Sequence, residues 1–136
     1  MAVEVADAAA VEALAAEVCD TWGATHLLCN NAGVFQAGLS WERSVEDWDW
    51  ALGVNLWGII HGVKAFVPRM LAGGDEGHVV NTSSVAGFVA APFSGPYNVS
   101  KVAAFSMSET HSWFRLDFAN ANAPFAFTGK KSSTTK

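Results

Sequence analysis

Apolar positions along the chain follow two alternating rhythms. Val11, Leu14, Val18 and Trp22 recur every three or four residues and so share one helix face; Asp7 caps this stretch and Gly23 stops it. A short unbroken run, His26 to Asn30, reads as a strand that ends in the turn Asn31-Ala32-Gly33. After a looser stretch the helical rhythm returns. Ser44 and Asp47 form a capping-box pattern, and Trp48, Leu52, Asn55, Ile59 and Phe66 make an inward stripe that stops at Gly73-Gly74. Asn55 is the polar member of that stripe. Val79 to Ser83 is a second strand, and residues 85–96 form a loop bearing glycine and proline. Pro96 suits the first turn of a helix that carries Tyr97 and Lys101 and runs to about Asn120. Val3-Glu4-Val5 reads as the end of a strand and Phe125-Ala126-Phe127 as the start of another. Strands alternating with helices predict βαβ units and a mostly parallel sheet, the α/β class.

Composition narrows this picture without changing it. A chain of 136 residues, 51% apolar, is one ordered domain at most. The net charge is −5, and three of the eight basic residues, Lys130, Lys131 and Lys136, lie at the very end, which argues against a nucleic-acid surface. Cys19 and Cys29 read as reduced, buried thiols. His26, His61, His78 and His111 lack ligand spacing, so no metal site is expected. The start carries Glu4 and Asp7 and does not read as a signal peptide. The greasiest run, Val54 to Val67, is interrupted by Asn55, His61 and Lys64 and reads as too short for a bilayer. The cytosol is the expected compartment, with no membrane partner.

The chemistry gathers at three positions. Tyr97 and Lys101 are four residues apart, so both project from one helix face. An ammonium beside a phenol favours the phenolate and lets the tyrosine exchange protons near neutrality. Ser84 stands thirteen residues before Tyr97 at the end of a strand, where its hydroxyl can polarise a carbonyl oxygen. In parallel sheets ligands gather beyond the C-terminal strand ends, and the Asn30 to Gly33 turn and Ser83-Ser84 both occupy such ends.

Taken in order, Asn30-Asn31-Ala32-Gly33, Val54-Asn55-Leu56, Asn81-Thr82-Ser83-Ser84-Val85-Ala86-Gly87 and Tyr97-Asn98-Val99-Ser100-Lys101 resemble the short-chain dehydrogenase/reductase family over residues 3–128. The resemblance implies a partial Rossmann-type, doubly wound parallel sheet in three α/β/α layers, spanning residues 1–128, with a polar, disordered tail at 129–136. It implies hydride exchange between NAD or NADP and a small alcohol or carbonyl substrate. On that resemblance Tyr97 is the general acid-base, and Ser84 holds the reacting oxygen, so both touch substrate. Lys101 binds the nicotinamide ribose and assists Tyr97, and Asn55 positions a water leading from Lys101. Tyr97, Lys101, Asn31, Ala32 and Gly33 face the cofactor, and Glu4 and Val5 lie beside its adenine. The helices at 44–72 and 96–120 would pair two copies into a homo-oligomer.

The family's glycine-rich turn, its first two strands and its substrate lid have no counterpart in these residues. Two readings therefore stand. One is a dehydrogenase represented by part of its chain. The other is a non-catalytic remnant acting at most as a helix-pairing subunit. Within either, Asn30 reads as a sheet-bracing amide, and Asn55 as a core amide or a functional one. Isothermal titration of the purified 136-residue chain with NADH and NADPH is expected to give no micromolar affinity, because the pyrophosphate cradle is missing; a micromolar dissociation constant for either would refute this.

Overall fold

A computed structural model describes residues 2–112 of the chain. The end of the helix expected near Asn120, the strand at Phe125-Phe127 and the tail at 129–136 lie outside the described residues.

The capping signals act where the sequence places them. The Asp7 carboxylate accepts from the N–H groups of Ala9 (2.8 Å) and Ala10 (3.3 Å) and starts α1, Ala8–Trp22. Gly23 ends it at φ +80°, its N–H donating to the Cys19 carbonyl. Ser44 and Asp47 satisfy each other's backbone N–H groups at 3.1 and 3.2 Å and open α2, Val45–Leu52. A widened π-helical turn, Gly53–Trp57, joins α2 to α3, Gly58–Gly73, in one unbroken helix of 29 residues. By length and composition this helix could cross a bilayer, contrary to the expectation drawn from its interrupted apolar run. Its setting is that of a core helix. Ile59, Ala65, Phe66 and Met70 are buried, and so is the polar Asn55.

The sheet is parallel. β1, Leu27–Asn30, pairs with β2, His78–Asn81, in the register Leu27 to His78 through Asn30 to Asn81. Residues alternate across a sheet, so Leu28 and Val79 share the face that meets Val11 and Ala15 of α1 and Ala65, Phe66 and Met70 of α3. The opposite face is bare among the described residues: Leu27 is 58% exposed, Val80 48%, and Cys29 is exposed as well. Cys29 is thus a free thiol on an open sheet face rather than a buried one, because it is one residue out of phase with Leu28. Arg69 ties α3 to α1 through Glu12 at 2.6 Å, a hydrogen bond that holds the Glu12 carboxyl below its ordinary range.

Two strand expectations shift. Val3-Glu4-Val5 forms no strand, since no described strand lies beside it; Val5 and Ala6 turn directly into α1. Val3 instead packs on the core cluster. The second strand ends at Asn81 rather than Ser83. Thr82 N–H still reaches the Asn30 carbonyl, but the Thr82 carbonyl is taken by the Lys101 ammonium and so leaves the ladder. α4, Gly95–Ser112, follows a 3-10 turn at Val85–Gly87 and brings Tyr97 and Lys101 to the end of β2.

A polar brace crosses the covered face. Asn30 Nδ2 donates to Asn81 Oδ1 at 2.8 Å, and Asn81 Nδ2 donates to Ser108 Oγ of α4 at 3.1 Å. The other end of the Asn30 amide faces Gly62 of α3, where an added Cβ would collide with Asn30 Oδ1. Gly62→Ala gains up to about 1 kcal/mol in helix propensity. It also drives a methyl into an amide that Asn81 holds in place, at a cost of about 1–3 kcal/mol. The second effect wins, and a lowered urea midpoint for Gly62→Ala is the expected outcome; an unchanged or raised midpoint would show that the amide is free to swing aside.

Candidate active site

The π-helical turn faces Asn55 inward, where only 1% of it is exposed. Its amide behaves like a piece of strand. Oδ1 accepts from Val34 N–H at 2.7 Å while Nδ2 donates to the Val34 carbonyl at 2.9 Å. The second Nδ2 hydrogen goes to Ser100 Oγ at 3.0 Å, and Ser100 Oγ donates to the Tyr97 carbonyl at 2.7 Å. One side chain therefore joins the turn after β1 to the helix that carries Tyr97. Both amide hydrogens are occupied, and among the described residues one Oδ1 lone pair has no partner.

Lys101 lies on the same side, 4% exposed. Its Nζ donates to the Thr82 carbonyl at 2.9 Å and stands 5.6 Å from the centre of the Tyr97 ring. Thr82 also donates its hydroxyl to Asn31 Oδ1 at 2.9 Å, so one residue fixes both the lysine and the turn. Ser83 Oγ donates to the Lys101 carbonyl at 3.0 Å, a support for α4. The Tyr97 ring meets the edge of Phe35 at 5.1 Å and 76°. Phe35 is itself 59% exposed.

Each sequence-predicted residue can be placed. Asn55, Lys101, Tyr97 and Gly33 come together: a Cβ built on Gly33 would sit 3.5 Å from Asn55 Oδ1 and 3.6 Å from Lys101 Nζ. Val5, Asn31 and Ala32 line a separate small cavity of about 80 Å³, along with Cys29, Asn30, Val54, Gly58 and Ile59. Ser84 stands apart from this network. Its Oγ accepts from Ala86 N–H at 3.2 Å and caps the 3-10 turn, and among the described residues no hydrogen bond joins it to Tyr97. Its hydroxyl hydrogen is left to donate elsewhere. Glu4 is exposed and accepts from Ala6 N–H at 3.3 Å, a local turn contact outside the cavity lining. Asn30 is the bracing amide described above. Thr82, Ser100 and Val34 hold the site together and were not singled out in the sequence. Thr82 and Ser100 lie inside the quoted motifs, but nothing in residue type marks a backbone carbonyl as an anchor.

A parallel sheet with helices on its covered face is a fold shared with known proteins. The sequence matches the short chain dehydrogenase family over residues 1–113, and the chain belongs to that family. It is 45% identical over 83 residues to the C alpha-dehydrogenase of Sphingobium sp. strain SYK-6, a match covering 61% of this chain and 27% of that protein. Its fold is that of a short chain dehydrogenase/reductase from Burkholderia phymatum in complex with NAD: TM-score 0.78, 47% identity, 79% of this chain and 38% of the other. A gluconate 5-dehydrogenase from Burkholderia cenocepacia in complex with NADP and tartrate is similar at TM-score 0.76 and 30% identity, over 80% of this chain and 42% of that one. The chain thus spans well under half the length of these relatives.

The Asn55 clamp generates a stability prediction. Asn55→Leu strands the Val34 peptide and Ser100, and is expected to cost about 2–4 kcal/mol; Ser100→Ala removes one bridge and should cost about 1 kcal/mol. Urea unfolding of both variants checks the order, and equal small losses would remove the clamp from its central place.

Proposed function

We propose that this chain carries the catalytic centre of an oxidoreductase that moves a hydride between NAD or NADP and an alcohol or carbonyl compound. The supporting observation is the buried Lys101 ammonium set 5.6 Å from the Tyr97 ring and beside the Gly33 turn, with both arms held by Asn55 and Thr82. The residues present fit such a cofactor. At Gly33 a side chain would begin within 3.6 Å of Asn55 Oδ1 and Lys101 Nζ, so its absence leaves room on that side for a ligand, and Val5, Asn31 and Ala32 are among the residues lining the small cavity assigned, with Glu4, to the adenine end. When bound, the nicotinamide supplies the hydride acceptor or donor.

The chain's own groups handle the proton and the oxygen. Tyr97 Oη takes the hydroxyl proton in the direction of oxidation and returns it to the carbonyl oxygen in the direction of reduction. Lys101 Nζ, 5.6 Å from the centre of the Tyr97 ring, offers its remaining hydrogens to the ribose hydroxyls. Ser84, whose hydroxyl donates to no other group among the described residues, donates to the substrate oxygen. Asn55 keeps the Val34 peptide and Tyr97 helix in register, and its open Oδ1 lone pair takes a water on the way from Lys101. Phe35, Phe88 and Phe93, all more than half exposed, give the substrate side an apolar rim. The helices from Val45 to Gly73 and from Gly95 onward, which expose Trp50, Trp57, Val99 and Val102, are proposed as the pairing surface of a homo-oligomer in the cytosol.

The test uses the longest reading frame that contains this chain. Tyr97→Phe is expected to lower kcat by roughly 10²–10⁴ while leaving cofactor affinity within about twofold, because the ring remains and only the proton donor is lost. Lys101→Ala should weaken cofactor binding and turnover together. A Tyr97→Phe protein that keeps most of its rate would overturn the acid-base assignment and favour the helix-pairing, non-catalytic reading.

A further inference from the structure

The wall of the Val5 cavity is not held by a strand. Among the described residues Val3 to Val5 pair with no neighbour, and yet Val5 is set against Asn31, Ala32, Val54 and Ile59 around one space. Two positions on α3 account for this. His61 Nδ1 lies 3.0 Å from the Val5 carbonyl oxygen. A carbonyl only accepts, so Nδ1 carries the hydrogen and donates it. Gly58 is one helical turn before His61 and therefore on the same face. A Cβ built there would stand 2.9 Å from Val5 Cγ2 and 3.2 Å from Val5 Cβ, closer than side chains pack. The Val5 backbone is thus pinned by His61, and its side chain is seated in the gap at Gly58. Trp57 lies beside the imidazole at 5.8 Å between ring centres, tilted 33°.

We infer that His61 and Gly58 form a latch that positions Val5 as the wall of the adenine-end cavity, making His61 a positioning residue for cofactor affinity rather than for chemistry. The latch deepens the oxidoreductase reading and rests on it. His61 touches none of Tyr97, Lys101, Asn55 or Ser84 by hydrogen bond, and its target, Val5, is six positions from Val11, the first core residue of α1. Its effect is therefore expected at the adenosine end alone. A probe lacking the nicotinamide separates the two ends.

In the longest reading frame containing this chain, ADP-ribose binding is measured by calorimetry beside steady-state kinetics. Loss of one well-made hydrogen bond corresponds to roughly a tenfold change. His61→Leu is expected to weaken ADP-ribose binding by about that factor and to raise cofactor KM similarly, with kcat within about twofold. His61→Asn places an amide N–H near the position of Nδ1 and should restore affinity to within about threefold of the parent. Gly58→Ala, with His61 intact, should reproduce the loss by displacing the Val5 side chain. Unchanged ADP-ribose affinity in His61→Leu and Gly58→Ala would overturn the latch. Equal losses in His61→Leu and His61→Asn would overturn the hydrogen bond as its cause. A parent protein that binds ADP-ribose while Tyr97→Phe retains its rate would instead sink the acid-base reading and leave the latch standing. A parent that neither binds ADP-ribose nor turns over would refute both.

Discussion

The buried amide of Asn55 is the contact on which the rest of the site depends. A helix interior has no spare backbone groups to offer a neighbouring loop. The π-helical turn at Gly53–Trp57 faces a side-chain amide inward instead, and that amide pairs with Val34 in the manner of an adjacent strand. Through Ser100 the same amide reaches the carbonyl of Tyr97. Three segments distant in sequence are thus fixed by one group whose donors are both satisfied. Leaving such a group unpaired in the interior costs about 1–3 kcal/mol per lost partner, so the arrangement is held to one geometry.

Around this amide the structure places a charge where burial would ordinarily forbid one. Lys101 is 4% exposed, and among the described residues no carboxylate is bonded to it. Its hydrogen bond goes to the Thr82 carbonyl, the group that would otherwise extend β2 by another rung. Ending the strand early and stabilising the ammonium are the same event. Thr82 then uses its hydroxyl to hold Asn31. The polar brace Asn30–Asn81–Ser108 repeats this logic about two helical turns further along α4, joining β1, β2 and α4 with polar side chains. Fold and site are therefore built from the same polar bonds at the C-terminal ends of the two strands, where parallel sheets leave backbone groups to be satisfied.

The helices cover only one side of the sheet in the described residues. Leu27, Cys29 and Val80 face outward, and among the described residues β1 has a strand neighbour on one edge alone. The Rossmann-type fold expected from the sequence is shared with short-chain dehydrogenase/reductase structures, and among the described residues it comprises one helical layer on a two-stranded parallel sheet. Contacts between α1 and α3 and between α2 and α4 hold that layer together.

The linear sequence by itself determined the elements and the chemical types at the site. Asp7, Gly23, Ser44 and Asp47 mark helix ends because capping is a local bond within three or four residues. Tyr97 and Lys101 share a face because four residues make one helical turn, and the order of the motifs identifies the family. What only the tertiary structure decided was where the polar groups go. Asn55 chose Val34 and Ser100, Lys101 chose the Thr82 carbonyl, Val5 chose His61 and a gap at Gly58, and Ser84 turned to cap its own loop. Each of those partners is a backbone group or a small residue, chemically the same at many positions, and only the packing of distant segments selects one of them.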